Sequence, residues 1–270
     1  MKTIAIANHK GGCAKTTTAL NVAVTLANTG SRVLAVDLDP QGNLSASLGV
    51  DLQDLEETHR TSHRLMLDER GDFSTYLLNV RPRMDVLPAC LDADAEALLD
   101  GQAVSRELLL KQKLVPAQKA FDYCVVDTPP ALRVPTLNAL AMSDLTIVPI
   151  ESSMFALLGL GQLLRTVAKV RKAHSPEMFL MALSTLYTAR QNLDKNIRAK
   201  VIEKFTEDFV FQTTIPRAVS VGEATATLQA VVESNAESAA SFAFRKLVSE
   251  IREVLGDEEA RSSEARRGAR

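Results

Sequence analysis

Residues 8–18 constrain the fold of this 270-residue chain more than any other stretch, and they read Asn-His-Lys-Gly-Gly-Cys-Ala-Lys-Thr-Thr-Thr. An apolar run at residues 3–7 precedes them, and residues 17–28 follow with leucines and valines at helical spacing. A strand, a glycine-containing turn and a helix in this order suit a phosphate group, because glycine lets the backbone turn tightly and the first helical turn has unpaired N–H groups. The pattern therefore predicts that the chain opens with a phosphate-binding βα unit.

Two side chains in this stretch carry the expected chemistry. Lys15 is placed to reach the β- and γ-phosphates of a nucleotide, and the Thr16 hydroxyl is placed to bind Mg²⁺. The usual P-loop pattern, G-x-x-x-x-G-K-[ST], has glycine where this chain has His9 and Ala14. The stretch therefore departs from that pattern at two positions.

The stretch resembles the deviant Walker A loop, K-G-G-x-G-K-T-T, of the ParA/MinD ATPases, with Lys10 as the second, signature lysine. Ala14 replaces that family's usual glycine, and Cys13 replaces its usual valine. Because alanine tolerates a positive φ poorly, we expect a negative φ at position 14. The resemblance implies ATP and Mg²⁺ as cofactors, and a Lys10 that contacts the ATP of a partner subunit. The nucleotide contacts it implies are Gly11, Gly12, Cys13, Ala14, Lys15, Thr16 and Thr17, with Pro216 and Arg217 bordering the base.

Two acidic motifs follow. The apolar stretch 31–37 leads into D-L-D-P-Q-G-N, close to the ParA pattern, and the apolar stretch 121–127 ends in Asp127 before two prolines. Buried parallel strands read as continuous apolar runs, and ligands of α/β proteins bind at their carboxyl ends. The resemblance implies that Asp39 orients the attacking water and that Asp37 supports the Mg²⁺ shell. The implied catalytic residues are Lys10, Lys15 and Asp39, and the implied metal site is Thr16, Asp39 and Asp127.

Apolar runs alternate with amphipathic stretches over most of the chain, which favours one large α/β domain. The expected fold is a doubly wound, mostly parallel sheet flanked by helices, that of a P-loop NTPase with a deviant Walker A loop. Residues 51–80 are polar and predict one or two short helices. We expect the ATPase domain to span residues 1–255. Residues 256–270 contain four arginines and few apolar side chains, and we expect them to form a disordered basic tail.

Composition excludes several classes of protein. A formal net charge of −2 gives no overall attraction to nucleic acid, so any DNA contact must come from a local patch. Three cysteines, at positions 13, 90 and 124, offer neither a disulfide framework nor a metal-ligand spacing, and their odd number fits a reducing cytosol. The chain starts directly with its first strand, and no apolar run approaches the ~18 residues of a membrane span. We therefore expect a cytoplasmic protein with no membrane partner.

The resemblance covers residues 1–255 through several motifs in the family's order. It implies a homodimer that sandwiches two ATP molecules and binds nucleoid DNA without sequence preference. Such binding uses basic side chains that contact phosphates. The candidate DNA-binding residues are Arg190, Arg198, Lys200, Lys204, Arg217, Arg245 and Lys246.

The resemblance further implies a positioning ATPase associated with the nucleoid, similar to the Soj and McdA branches. Its cargo is a plasmid, a chromosome origin or a protein body such as a carboxysome, and an adaptor of the ParB/McdB type stimulates hydrolysis. The sequence leaves the cargo and the adaptor open.

Three alternatives stay open at this point. A MinD-like division-site regulator would bind membrane through a C-terminal amphipathic helix, but residues 256–270 have no apolar face. An ATP-driven iron–sulfur carrier would need paired cysteines near a dimer axis, and the contexts of Cys90 and Cys124 do not suggest this. A structural dimer without ATPase activity is disfavoured by the retention of both Asp39 and Asp127.

Overall fold

The computed structural model describes residues 1–101 and 106–257, and the strands within them form one eight-stranded sheet. The strands are β1 (Lys2–Ile6), β2 (Val33–Asp37), β3 (Leu78–Arg81), β4 (Met84–Leu87), β5 (Tyr123–Asp127), β6 (Leu145–Glu151), β7 (Phe179–Tyr187) and β8 (Val210–Pro216). Their order across the sheet is β3-β4-β2-β5-β1-β6-β7-β8, and every neighbouring pair is parallel except β3 with β4. The expected mostly parallel sheet is confirmed.

Helices connect the strands and cover both faces of the sheet. The helices are α1 (Lys15–Asn28), α2 (Asn43–Ser47), α3 (Leu52–Thr58), α4 (Ser62–Leu67), α5 (Ala93–Gly101), α6 (Leu109–Lys113), α7 (Ala117–Ala120), α8 (Val134–Met142), α9 (Met154–His174), α10 (Asn192–Phe205), α11 (Val219–Ala226), α12 (Val231–Ser234) and α13 (Ala239–Val254). Successive side chains of a strand point to opposite faces. Ile4 and Ile6 of β1 therefore lie in the core beneath α1, α2 and α11–α13, whereas Ala5 and Ala7 lie in cores on the side of α4–α10. The doubly wound arrangement is thereby confirmed.

Backbone groups of β8, the last strand of the sheet, are capped by side chains from both faces. Glu250 of α13 accepts the N–H groups of Gln212 at 2.9 Å and Thr213 at 3.0 Å. Arg198 of α10 donates to the carbonyls of Phe211 at 3.1 Å and Gln212 at 3.3 Å. Because unpaired groups on an edge strand invite pairing with another chain, these contacts protect the edge.

Several elements were not predicted from the sequence. β3 lies within residues 51–80, where only the short helices corresponding to α3 and α4 were expected. It is short and its residues are half-buried or exposed, so its sequence lacks the apolar run of an inner strand. The helices α2, α8, α11 and α12 were also not predicted.

The predicted basic tail lies mostly outside the described residues, which end at 257. Among the residues that are described, no helix has both the length and the apolar character needed to cross a membrane.

Candidate functional site

The register of three central strands brings the sequence motifs together. Ile6 at the end of β1 pairs with Asp127 at the end of β5, and Asp37 at the end of β2 pairs with Asp127 from the other side. The P-loop, residues 8–16, therefore leaves the sheet beside both acidic motifs. Open α/β sheets bind ligands at the carboxyl ends of their strands, which is where these three segments meet.

The P-loop is anchored to two further strands, β6 and β7. The Asn8 side-chain amide donates to the Pro149 carbonyl in β6 at 2.6 Å, and its oxygen accepts the Lys10 N–H at 3.1 Å. The Thr185 hydroxyl of β7 donates to the Cys13 carbonyl at 3.0 Å. The loop is thus fixed on its β6 and β7 side by side-chain hydrogen bonds to backbone carbonyls, and neither bond uses the side chains expected to bind phosphate.

The expectation of a negative φ at position 14 is wrong. Ala14 has φ 67° and ψ 36°, the left-handed conformation, and it is the N-cap residue of α1. Gly12 also has a positive φ, of 75°. The loop therefore needs two left-handed residues to bring the chain into α1, and one of them is an alanine whose Cβ opposes that conformation.

The two lysines of the loop point to different places. Lys15 is buried, and its ammonium group donates to the Lys10 carbonyl inside the loop at 3.0 Å. The Lys10 ammonium lies outside the loop, where it is paired with the Glu151 carboxylate and donates to the Ser153 hydroxyl at 2.9 Å. The Lys10 side chain remains 30% exposed. Only the Lys15 ammonium therefore lies inside the loop, where the phosphates of a nucleotide bound to the same subunit are expected.

The two aspartates after β2 differ in their contacts. Both oxygens of the Asp37 carboxylate are engaged: one accepts the Asp39 N–H at 3.0 Å, and the other accepts the Ser45 N–H at 2.9 Å and the Ser45 hydroxyl at 2.8 Å. Burial raises the pKa of Asp37 to about 7, although these hydrogen bonds oppose the shift. Asp37 thus holds the loop that carries Asp39, and its expected support of the Mg²⁺ shell stays a prediction.

Asp127 has the features of a cation site. It is fully buried, and its Oδ2 has no hydrogen-bond partner among the described residues. Burial and the neighbouring Asp37 raise its pKa, whereas the Thr16 hydroxyl and Lys15 lower it. A buried carboxylate oxygen without a donor is costly unless a positive charge compensates it. Carboxylate and hydroxyl oxygens are the ligands that Mg²⁺ prefers, so Asp127 and Thr16 fit this ion.

The predicted base-binding pair lies at the end of β8, beside the end of the neighbouring strand β7. Pro216 pairs with Tyr187, and the Arg217 N–H donates to the Tyr187 carbonyl at 3.1 Å. β7 is also the strand whose Thr185 holds the P-loop. Pro216 and Arg217 therefore lie at the same edge of the sheet as the P-loop, on the strand next to the one that carries Thr185.

The candidate DNA-binding residues do not form one patch. Arg190 and Arg217 lie in exposed loops after β7 and β8, Lys200 and Lys204 lie on α10, and Arg245 and Lys246 lie on α13. The helices α10 and α13 cover opposite faces of the sheet. The guanidinium of the seventh residue, Arg198, is bound to the Ser184 hydroxyl and to two carbonyls of β8. Arg198 is therefore already engaged in holding β8, and a DNA contact by this residue stays a prediction.

Several residues at the site were missed because nothing in the sequence marks them. Glu151 and Ser153 lie at and just after the end of β6 and belong to no recognisable motif, yet both contact the Lys10 ammonium. Ser45 supports Asp37 from eight residues away. His63 is buried below the loop of Asp39, and no chemistry was assigned to it from the sequence.

A mostly parallel sheet with a P-loop at its central strand and two acidic strand ends beside it defines a P-loop NTPase. A family model described as AAA domain matches residues 1–180. The chromosome partitioning protein ParA of Caulobacter vibrioides is 35% identical over 268 residues, which cover 98% of this chain and 98% of that protein. The sporulation initiation inhibitor protein Soj of Bacillus subtilis is 34% identical over 251 residues, which cover 93% of this chain and 98% of that protein. The chain belongs to the ParA/Soj family of partitioning ATPases.

Solved structures agree with this fold. A cobyrinic acid a,c-diamide synthase from Mycobacterium smegmatis, solved with a bound ATP analogue and magnesium, has a TM-score of 0.79 and 34% identity, and covers 93% of this chain and 95% of its own. An ATP complex of a substituted McdA from Cyanothece has a TM-score of 0.82 over 95% of this chain and 96% of its own, but its 22% identity supports the fold alone. The expected ParA-like family, fold class and ATPase class are confirmed. The roles of individual residues stay predictions.

Proposed function

We propose that this chain is a Mg²⁺-dependent ATPase that dimerises on ATP, binds DNA without sequence preference and positions an intracellular cargo. The observation that carries the proposal is the divergence of the two P-loop lysines. Lys15 points into the loop, whereas the Lys10 ammonium is held outside it beside Glu151. A lysine on the outer rim of the loop is placed to contact a nucleotide in a facing subunit.

Different residues of one subunit bind the phosphates, hold the metal ion and orient the attacking water. Lys15 exchanges the Lys10 carbonyl for phosphate oxygens when ATP enters, and Thr16 and Asp127 hold Mg²⁺. When bound, this ion neutralises charge on the β- and γ-phosphates. Asp39, held by its N–H bond to Asp37, orients the attacking water and adds negative charge at the metal site. Phosphoryl transfer depends mainly on such positioning and charge stabilisation.

Dimerisation follows from the same geometry. In the proposed dimer, Lys10 of each subunit leaves Glu151 and binds the phosphates of the other subunit. ATP then favours the dimer because its phosphates are contacted by both subunits, and hydrolysis removes this shared contact. The state of assembly would thus report the nucleotide, which is what an ATPase that carries a cargo along a matrix requires.

The proposed matrix is nucleoid DNA. Six of the seven candidate cations are exposed, on loops and helices that adjoin β7 and β8. Arg245 also lies 5.4 Å from the ring centroid of the exposed Phe242, so the two side chains support each other on the surface of α13. We place the protein in the nucleoid-associated cytoplasm. Its cargo is a plasmid, a chromosome origin or a protein body such as a carboxysome, and its partner is an adaptor of the ParB/McdB type.

We propose residues 1–255 as the ATPase domain and the remainder as a basic tail. The function follows the ParA and Soj relatives rather than the diamide synthase, because the two-lysine loop is the motif of the ParA/MinD ATPases. Cys13, Cys90 and Cys124 are all buried, which disfavours a cluster shared across a dimer axis. Binding to anionic vesicles would instead favour the MinD-like alternative.

Retention on immobilised duplex DNA tests the proposal. The full chain is applied with ATP, with ADP and without nucleotide at several salt concentrations, together with Lys10→Ala. Lys2→Ala is the matched control, because Lys2 is an exposed lysine at the opposite end of β1. We expect retention that needs ATP, falls with salt and is lost in Lys10→Ala but not in Lys2→Ala.

Sedimentation of the same samples separates dimerisation from DNA binding. The double variant Arg245→Ala/Lys246→Ala should dimerise with ATP but bind DNA weakly, whereas Lys119→Ala, which removes another exposed lysine, should behave as the parent chain. If Lys10→Ala hydrolyses ATP and dimerises normally, the proposed role of the signature lysine is wrong. If the parent chain is not retained under any condition, DNA is not its matrix.

A further inference from the structure

The helix α9 carries positive charge that no acidic residue of the helix balances. Its 21 residues include two arginines and two lysines, but neither aspartate nor glutamate. The whole chain has 31 lysines and arginines against 33 aspartates and glutamates, so this imbalance is a local feature of α9. The helices α10 and α13, which carry five of the seven candidate DNA-binding residues, each contain two acidic residues. The candidates taken from the sequence therefore leave out the helix with the most uniform positive charge of the three.

Three of these cations form a row on the outer face of α9, here called the α9 stripe: Arg165, Lys169 and Lys172. All three side chains are exposed. With 3.6 residues per turn, they lie within about 60° of one another around the helix axis. The buried side chains of Leu163 and Val167 lie on the opposite side of the helix. The α9 stripe therefore points away from the core and into solvent.

The described residues supply no partner for the α9 stripe. None of its three side chains forms an ion pair or a side-chain hydrogen bond with the part of the chain that the structure describes. The ion pair at the end of α9 is made by His174, which lies outside the stripe. The helix α8, which packs against α9, has no charged residue. The positive charge of the stripe is thus open to a partner from outside.

Such a row of cations is unfavourable for the helix alone. Like charges three or four residues apart repel each other on a helix surface, and exposed surfaces of soluble proteins usually mix both signs. The helix dipole favours cations in the last turn, which accounts for Lys172 but not for Arg165 and Lys169. A negatively charged partner would offset the repulsion.

The chemistry around the stripe selects among negatively charged partners. From Gly159 to His174, where the side chains of α9 are described, no large apolar residue is exposed. Protein interfaces depend on buried apolar anchors, and a helix that lies on a membrane needs an apolar face. Duplex DNA needs neither, because it presents one negative charge for every ~1.7 Å of its axis. The stripe extends over about 10 Å of the helix, which is long enough to face several phosphates.

We propose that the α9 stripe contacts the phosphate backbone of duplex DNA without sequence preference, in addition to the cations predicted from the sequence. This inference rests on the proposed function of the chain as a DNA-binding ATPase. α9 begins three residues after Glu151, the partner of Lys10, and Arg165 lies about 16 Å farther along the helix. The stripe therefore lies away from the proposed dimer contact, and each dimer carries two copies of it. Two linked copies bind one duplex more tightly than a single copy, which makes DNA affinity depend on ATP.

Fluorescence anisotropy of a labelled duplex, titrated with the full chain and ATP at several salt concentrations, tests the inference. The test variant is Arg165→Gln/Lys169→Gln/Lys172→Gln. Each lost phosphate contact lowers the slope of log affinity against log salt by about 0.9, so the slope should fall by about 3 for one stripe on the duplex and by about 5 for two. Affinity should fall at least tenfold, and equally for A·T-rich and G·C-rich duplexes, because phosphate contacts carry no sequence information.

The matched control is Lys2→Gln/Arg83→Gln/Lys119→Gln, which removes three exposed cations outside α9 and gives the same net charge. It should keep the affinity and the salt slope of the parent chain. An added cation makes the opposite test. Gln162→Lys places a fourth cation one turn before the stripe and should raise the slope by about 0.9, whereas Gln112→Lys, at an exposed position of α6, should not.

Sedimentation with ATP checks that the variant without the α9 stripe still dimerises. Loss of DNA affinity together with loss of dimerisation would overturn the inference, because it would place α9 in the dimer contact. An equal loss of affinity in the matched control would overturn it too, since net charge alone would then explain the result.

Two further outcomes separate this inference from the proposed function. If the parent chain binds DNA and the variant without the stripe binds it with the same affinity and salt slope, the inference alone fails, and binding to phosphatidylglycerol vesicles that is lost in this variant would assign the stripe to a membrane surface instead. If the parent chain itself does not bind DNA, the proposed function fails.

Discussion

Replacing Ala14 by glycine should stabilise the folded chain, because the backbone at this position is left-handed. Ala14 has φ 67° and ψ 36°. An L-residue with a Cβ loses about 1–2 kcal/mol in this conformation, and glycine does not. Glycine also gains about 0.4–1 kcal/mol of conformational freedom in the unfolded chain, which opposes the gain. The balance favours Ala14→Gly by about 1 kcal/mol, or about 2–4 °C in the unfolding midpoint for a domain of this size.

The comparison substitution is Ala199→Gly. Ala199 is exposed within the helix α10, where alanine is the best residue and glycine costs about 1 kcal/mol. The two variants make the same chemical change, so they differ only in the backbone conformation at the site. Their unfolding free energies should shift in opposite directions.

Urea unfolding of the nucleotide-free full chain, followed by far-UV circular dichroism, measures both effects. The free energy of unfolding should rise in Ala14→Gly and fall in Ala199→Gly, with no change in the denaturant slope. A fall of about 1 kcal/mol in both variants would refute the reasoning, because it would mean that the backbone at position 14 is not left-handed in solution.

Three further substitutions or conditions test the site. Burial lowers the pKa of His63 to about 4, so the unfolded chain binds this proton more readily than the folded chain. The free energy of unfolding should therefore be highest above about pH 6.5 and fall by on the order of 3 kcal/mol as the pH is lowered towards 4. In His63→Gln, the pH dependence of urea unfolding should be flatter. Asp127→Asn should raise the Mg²⁺ concentration needed for ATP binding at least tenfold and stabilise the nucleotide-free chain, because it removes the buried carboxylate charge; titration calorimetry and thermal unfolding read these out. Glu151→Gln removes the charge that holds the signature lysine, so ATP-dependent dimerisation should strengthen about two- to fivefold, a modest change because the pair is partly exposed; sedimentation measures it.

Much of the fold could be predicted because buried parallel strands have continuous apolar sequences. The runs that end in Asp37 and Asp127 both became inner strands, and the P-loop beside them followed from its glycines and lysines. The edge strand β3 could not be predicted in this way, since it is not buried and its residues resemble a loop. Composition alone cannot tell such a strand from the short helices beside it.

The site was less predictable where a side chain's role depends on a distant partner. Arg198 belongs to a basic helix face by sequence, but the structure turns its guanidinium onto the carbonyls of β8. Asp37 belongs to an acidic motif, and its hydrogen bonds to Ser45 and the Asp39 N–H could not be read from that motif. A local motif indicates which chemical groups meet at a site. The other partners of those groups depend on tertiary contacts, which the motif does not contain.

The electrostatics of the site follow from strand register in the same way. Because Asp37 and Asp127 are paired across adjacent strands, two buried carboxylates lie together, and the charge of Asp37 adds to burial in raising the pKa of Asp127. Lys15 opposes this at Asp127, and its ammonium is at the same time bound to the Lys10 carbonyl. If a triphosphate drew Lys15 towards its own oxygens, Asp127 would lose part of that compensation. A divalent cation held by Asp127 and Thr16 would supply positive charge in its place, so we expect ATP and Mg²⁺ to bind together more tightly than either binds alone.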